Sequence, residues 1–246
     1  MSTLAIVRKE LQLYFTSPLV YALGAVFLAL SGYLFYTNLH WFVLYGGMNL
    51  ELGLWQIQFH DMRRLLLFLV PMLTMRLLAE ERRLGTLELL WTYPLRDVAI
   101  VGGKYLACVG VLALVIAGTL THPLLLARLY PVDMASVLTG YVGLLLLTSA
   151  FVACGLFVSS LTDSQLVAGA STYGVLLFFW LLNWNEAAVS ESALAWLRAL
   201  SLFDRFEVFA QGGIDTRDVA YFVLFTLLFL SFTLLGLESR RWRGVR

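Results

Sequence analysis

The chemistry in this chain concentrates between Arg76 and Lys104, and the first possibility to test there is a phosphate site. Gly102-Gly103-Lys104 is followed by Tyr105, and Val98 stands where a GxxxxGK[ST] loop needs its first glycine. Without that glycine and the metal-binding hydroxyl, the backbone cannot cradle a nucleotide in this way. No HExxH pair and no GxSxG elbow occurs, so zinc proteolysis and serine hydrolysis lack their residues. Cys108 and Cys154 lie apart inside apolar runs, which leaves no CxxC redox or metal motif. His40, His60 and His122, with Met48, Met62 and Met134, fall at one expected membrane surface. A metal-handling vestibule can be drawn from them, but they show no ligand spacing and read as ordinary headgroup-level residues. The expectation is a non-enzymatic chain with no metal or cofactor of its own.

What remains between Arg76 and Lys104 is recognition chemistry. Glu80, Glu81, Arg82 and Arg83 form a charged helix running on from the apolar segment before it, as far as Leu84. Gly85 can take the left-handed stop that other residues resist. Thr86 can cap a short helix that Pro94 ends, and on it Leu87, Leu90 and Trp91 fall at i, i+3 and i+4. An apolar face hemmed by Glu80, Glu81, Arg82, Arg83 and Glu88 suits a helix-in-groove contact with a soluble partner. The same face would also suit lipid headgroups.

These residues must be positioned by membrane spans. The chain has 246 residues, 60% of them hydrophobic and 13% charged, with a mean hydropathy of +0.82, far more apolar than one soluble core requires. A net charge of +1 offers no basic excess for nucleic acid. Charge-free intervals give spans near 18–38, 100–121, 137–158, 166–182 and 219–237. Pro18 opens the first, Asp163 is a candidate cap for the fifth, and Asp215 or Thr216 for the sixth. A further span at 57–78 is awkward, because eleven uncharged residues separate Arg64 from Arg76. That is about 17 Å of helix against a hydrocarbon core of about 30 Å. Asp61, Arg63 and Arg64 therefore enter its outer third, either lining a watery pathway or snorkelling to the interface.

The fold class expected is all-α and integral to the membrane, one domain over residues 1–246 with six transmembrane helices. Eleven of the seventeen basic residues lie on the side that carries both termini, which places the termini in the cytoplasm. Ahead of the first span, Leu4, Val7, Leu11, Tyr14 and Phe15 recur at helical spacing and predict a helix lying on the inner leaflet. Beyond the fifth span, a segment over 184–216 carries an apolar stripe from Val189 to Phe203. Phe206 and Phe209 continue it to a Gly212-Gly213 stop, so short external helices are expected.

Several stretches resemble the membrane subunits of ABC-2 type exporters, most closely the gliding-motility permeases. They are Arg8-Lys9-Glu10-Leu11 with Tyr14 to Pro18, and Pro71 to Arg76 with Ala79-Glu80-Glu81-Arg82. Gly85-Thr86-Leu87-Glu88-Leu89-Leu90 and Gly103-Lys104 follow, then Arg205-Phe206, Gly213-Ile214-Asp215 and Arg240-Arg241-Trp242. The resemblance implies a fold like that of type V exporters, with a cytoplasmic coupling segment at 79–98 that includes Glu80 to Pro94. It also implies two permease copies, identical or not, in the bilayer of a bacterial inner membrane. These dock ATP-binding subunits that carry ATP and magnesium, and cargo leaves the cytoplasm or inner leaflet. A mechanical element of an envelope or motility machine is the alternative, and a secondary carrier a more distant one.

Overall fold

A computed structural model describes residues 3–44, 53–85, 97–129, 131–184 and 201–243. Among them are ten helices: α1 (Thr3–Thr16), α2 (Pro18–Leu44), α3 (Leu54–Thr74), α4 (Ala79–Arg83), α5 (Asp97–Gly118), α6 (Thr121–Leu126), α7 (Met134–Leu161), α8 (Gln165–Trp184), α9 (Leu202–Ala210) and α10 (Thr216–Arg243). Six of these have 20 residues or more, enough at 1.5 Å per residue to reach about 30 Å. Four segments are both long and apolar enough to cross a membrane: Pro18–Leu44, Asp97–Leu126, Met134–Leu161 and Thr216–Ser239, with Gln165–Leu181 a shorter apolar helix. The chain is a multi-pass membrane protein.

Its axis is α7, which packs on α3, α5, α8, α9 and α10. Glycines make that close approach possible. A Cβ at Gly140 would collide with the Phe59 ring, one at Gly143 with Phe209 and one at Gly155 with Thr74. Phe151 of α7 with Phe59, Phe203, Phe206, Phe209 and Phe222 of its neighbours forms a fully buried aromatic layer. By contrast α2 and α10 turn large apolar side chains outward, among them Tyr33, Tyr36, Leu224 and Leu235, as helices bathed in lipid do.

Local signals set the element ends. Pro18 begins α2, and the corner before it is held by the Tyr21 hydroxyl donating to the Phe15 carbonyl at 2.9 Å. Asp133 caps α7, accepting from Ala135 N at 3.1 Å, and Asp215 caps α10, accepting from Arg217 N at 2.9 Å. Asp163 does not cap α8: Ala168 N reaches the carbonyl of Ser164, while the Asp163 carboxylate pairs with Arg82.

Two sequence expectations change in the structure. The second span was expected to continue as one helix to Leu84, but α3 stops at Thr74 and four residues of turn precede α4. The break is chemically supported, because Ser159 of α7 supplies its Oγ as acceptor to the N–H groups of Leu78 and Ala79, both at 3.1 Å. The same hydroxyl donates to the Met75 carbonyl at 3.3 Å. And α1 is not simply a helix on lipid. Its Ile6 and Glu10 face is buried on α5, while Leu4 and Phe15 on another face remain exposed.

Candidate functional site

The seat of α1 on α5 is cut by Gly103, where a Cβ would stand 2.6 Å from Ile6 Cγ2. With the backbones this close, the next residue, Lys104, reaches back across α1. Its Nζ lies 2.9 Å from Glu10 Oε1 and 2.9 Å from Glu81 Oε1. One ammonium thus ties together three elements distant in sequence: the amino-terminal helix, the short charged helix α4 and the start of a span. Lys104 is 4% exposed, so its ammonium is held out of bulk water. An ion pair in such surroundings gains little over an apolar replacement, but losing one member strands a buried charge at about 3–5 kcal/mol. The cluster therefore specifies a geometry more than it adds stability.

From this anchor α4 is held on two further sides. The Ser159 hydroxyl fixes its first turn, and Arg82 Nη1 reaches Asp163 Oδ1 at 3.3 Å in the connection between α7 and α8. Gly85 closes the described segment with φ at +67° and nothing within 4 Å of a would-be Cβ. A side chain there would be resisted by backbone conformation alone, about 1–2 kcal/mol. Glu80, Glu81, Arg82 and Gly85 of the expected coupling segment are thereby placed. Thr86, Leu87, Glu88, Leu90, Trp91 and Pro94 lie outside the described residues.

The opposite end of the bundle holds a second polar cluster, built on α9. Ser201 caps that helix through a 3.3 Å bond from Asp204 N, and its Phe203, Phe206 and Phe209 face is buried. Gly212, with φ at +85°, ends the segment. The Glu207 carboxylate faces α3, where it meets Gln56 Nε2 at 2.7 Å, His60 Nε2 at 3.2 Å and Arg63 Nη1 at 3.7 Å. Burial would push this carboxyl up, but the bonds from His60 and Gln56, with the His60 and Arg63 charges, outweigh burial and hold it at about 2. Arg205 pairs with Asp218 of α10 at 2.7 Å and stacks over Tyr221.

Asp61, Arg63 and Arg64 divide in this frame. Arg63 is buried beneath α9, its guanidinium 5.3 Å from the Phe203 ring centre and 3.3 Å from the Phe203 carbonyl. Asp61 is buried between Asn38, at 2.8 Å, and Arg64, at 2.6 Å. Arg64 alone is open, with 58% of its side chain exposed. His122 stacks on Phe35 and His40 on Tyr36. Among the described residues no three His, Cys, Asp or Glu side chains group as metal ligands.

Sequence reasoning named Lys104 and Glu10 separately and did not pair them. The usable signal was Gly103 beside one of only two lysines, a small residue that lets another helix approach where an ammonium needs a partner. Glu207 and Ser159 carried no comparable signal, since no glycine stands beside either and each acts on a residue more than 80 positions away.

No curated protein matches the chain. The model of the ABC-2 family transporter protein matches residues 4–235, a range that takes in both clusters, the broken α3–α4 segment and all six long helices but for the last turns of α10. The chain belongs to the ABC-2 family of transporter membrane proteins.

Proposed function

We propose that this chain is the permease subunit of an ATP-driven exporter, crossing the bacterial inner membrane six times with both termini in the cytoplasm. Two permease copies, identical or not, pair with separately encoded ATP-binding subunits, and all nucleotide chemistry takes place on those partners. Residues 79–98 form the coupling element, with Leu87, Leu90 and Trp91 as the apolar knob in the partner's groove. The observation that carries this reading is the Lys104 bridge. Because Glu81 of α4 and Glu10 of α1 share one ammonium on α5, a push on the coupling element moves the amino-terminal helix and a span together. The α3 helix, with its charged flank, supplies the sixth crossing by absorbing Asp61 and Arg63 into protein contacts rather than exposing them to lipid.

The test is co-expression with a candidate ABC-type ATP-binding subunit from the same organism. Expected are a co-purifying complex that hydrolyses ATP and an isolated permease that binds none. Leu87→Asp or Trp91→Asp places a charge in an apolar groove and should weaken the complex by a few kcal/mol. Nucleotide binding by the isolated chain, or full partner binding by both variants, would refute the assignment.

A further inference from the structure

Against the Lys104 cluster, between α1, α2, α3 and α4, opens a cavity of about 350 Å³. Leu13, Leu19, Leu73 and Leu77 line it, together with Arg76 and Glu80. It sits at the Ser17-Pro18 corner between α1 and α2, and on the six-span reading its apolar walls lie at acyl-chain depth and its charged rim at headgroup depth. Glu10 and Glu81 are committed to Lys104. Arg76 and Glu80 make no ion pair with any described residue. The rim therefore offers one exposed guanidinium and one half-buried carboxylate, opposite charges one helical turn apart in sequence.

We infer that this cavity binds a zwitterionic phospholipid headgroup, its phosphate on Arg76 and its ammonium on Glu80, with an acyl chain along Leu13, Leu19, Leu73 and Leu77. Guanidinium and phosphate match as donor fork and acceptor. The uncommitted pair selects the zwitterion: with Glu10 and Glu81 held by Lys104, an anionic headgroup without an ammonium satisfies Arg76 but meets uncompensated repulsion at Glu80. A cationic amphiphile leaves Arg76 facing a like charge. The same headgroup chemistry can belong to a lipid resident in the bilayer or to a lipid cargo. The site rests on the membrane reading of the chain and is independent of the docking of any ATPase.

The purified permease, stripped of lipid in detergent, is titrated with phosphatidylethanolamine, phosphatidylglycerol and diacylglycerol of identical chains, and bound lipid is counted by native mass spectrometry. Phosphatidylethanolamine is expected to bind most tightly. Arg76→Gln should weaken it roughly five- to tenfold, the worth of one basic contact, and Arg76→Lys should restore most of the loss. Glu80→Gln should abolish the preference over phosphatidylglycerol. Lys9→Gln, an exposed cation of α1 outside the cavity, should change nothing. Phosphatidylglycerol binding as tightly as phosphatidylethanolamine overturns the proposal, as does equal weakening by Lys9→Gln and Arg76→Gln. If Arg76→Gln fails to fold, the Glu80→Gln preference decides alone. Loading labelled lipid and adding the ATPase with ATP then separates the sources, since a cargo is released and a resident lipid stays. Failure to assemble that complex would count against the proposed coupling and leave the binding result standing.

Discussion

The two polar clusters fasten helices at opposite ends of the bundle by different electrostatic designs. Near the termini, Lys104 faces two carboxylates and is 4% exposed. At the far end, Glu207 faces three donors and keeps 32% of its side chain exposed. The first cluster has one cation for two anions, so it depends wholly on that cation. The wetter one combines a hydrogen bond from Gln56 with the nearby His60 and Arg63 side chains, so loss of any one partner leaves others and water. Under the proposed function the first design suits a joint that must pass a movement on, because loss of its one cation is costly, and the second suits a helix that only has to stay seated.

The sharpest way to break the contrast is Lys104→Met. Glu10 then remains buried and Glu81 half-buried without a counter-charge, and a loss of about 3–5 kcal/mol is expected, read as a lower melting midpoint in detergent. Adding Glu10→Gln and Glu81→Gln to that variant removes the stranded charges and should recover most of it. If Lys104→Met melts like the native chain, the cluster is solvated and the buried description fails.

That cluster also shows how far the sequence reaches. Helix class, the Pro18 corner, the Asp215 cap and the stops at Gly85 and Gly212 are local properties of a few neighbouring residues, and each was legible. The Asp61–Arg64 pair is local in the same sense, i, i+3 on one helix. Lys104 with Glu10, Glu207 with His60, and Ser159 with the α3–α4 break are not local. They follow from which helices pack together, and an apolar span exposes too little periodicity to say which face meets which neighbour. The expectation of an unbroken helix to Leu84 failed for that reason, since the acceptor that makes the break tolerable lies on α7.

At the far end the expected effect is smaller. Glu207→Gln keeps a hydrogen-bonding side chain but removes the charge opposite the buried Arg63, so about 1–3 kcal/mol of α9 seating should be lost. The native carboxyl is held at about 2, below its usual value. A depressed folded value means the fastening is complete above the ordinary carboxylate range and is lost as pH falls through it towards 2. A spin label at Val208, which is exposed on α9, should gain mobility over that acid window in the native chain. In Glu207→Gln it should be mobile at every pH. A native chain with no change between neutral pH and pH 2 would remove the electrostatic account of this cluster.

Gly85→Val probes the terminal end without touching its charges. The left-handed backbone resists a β-branched side chain by roughly 1–2 kcal/mol, and no neighbour adds a clash. If residues 79–98 couple to an ATP-binding subunit as proposed, complexes with it should still form while cargo-stimulated hydrolysis falls, because the segment is misdirected rather than unseated. Unchanged stimulation would mean that the direction set at Gly85 is immaterial.

The smallest expected loss of stability comes from Ser159→Ala, although it should move α4 most clearly. Removing the hydroxyl frees the N–H groups of Leu78 and Ala79, which would normally leave two buried donors unpaired. Here each has a substitute acceptor four residues back, the carbonyls of Thr74 and Met75, if α3 and α4 join into one continuous helix. The donors are then satisfied again, and the net cost is that of an ordinary hydrogen bond, about 1 kcal/mol. Straightening swings Glu81 away towards solvent and leaves Lys104 paired with Glu10, so no charge is stranded and the geometry changes more than the melting midpoint does. Labels at Leu13 and Arg83, both exposed, report that swing as a new distance between α1 and α4, and the buried native cysteines Cys108 and Cys154 leave them specific. Ser159→Thr keeps the hydroxyl and should keep the native distance. If Ser159→Ala keeps it too, the break is set by Pro71 and local backbone preference, and the long-range hydroxyl is only its consequence.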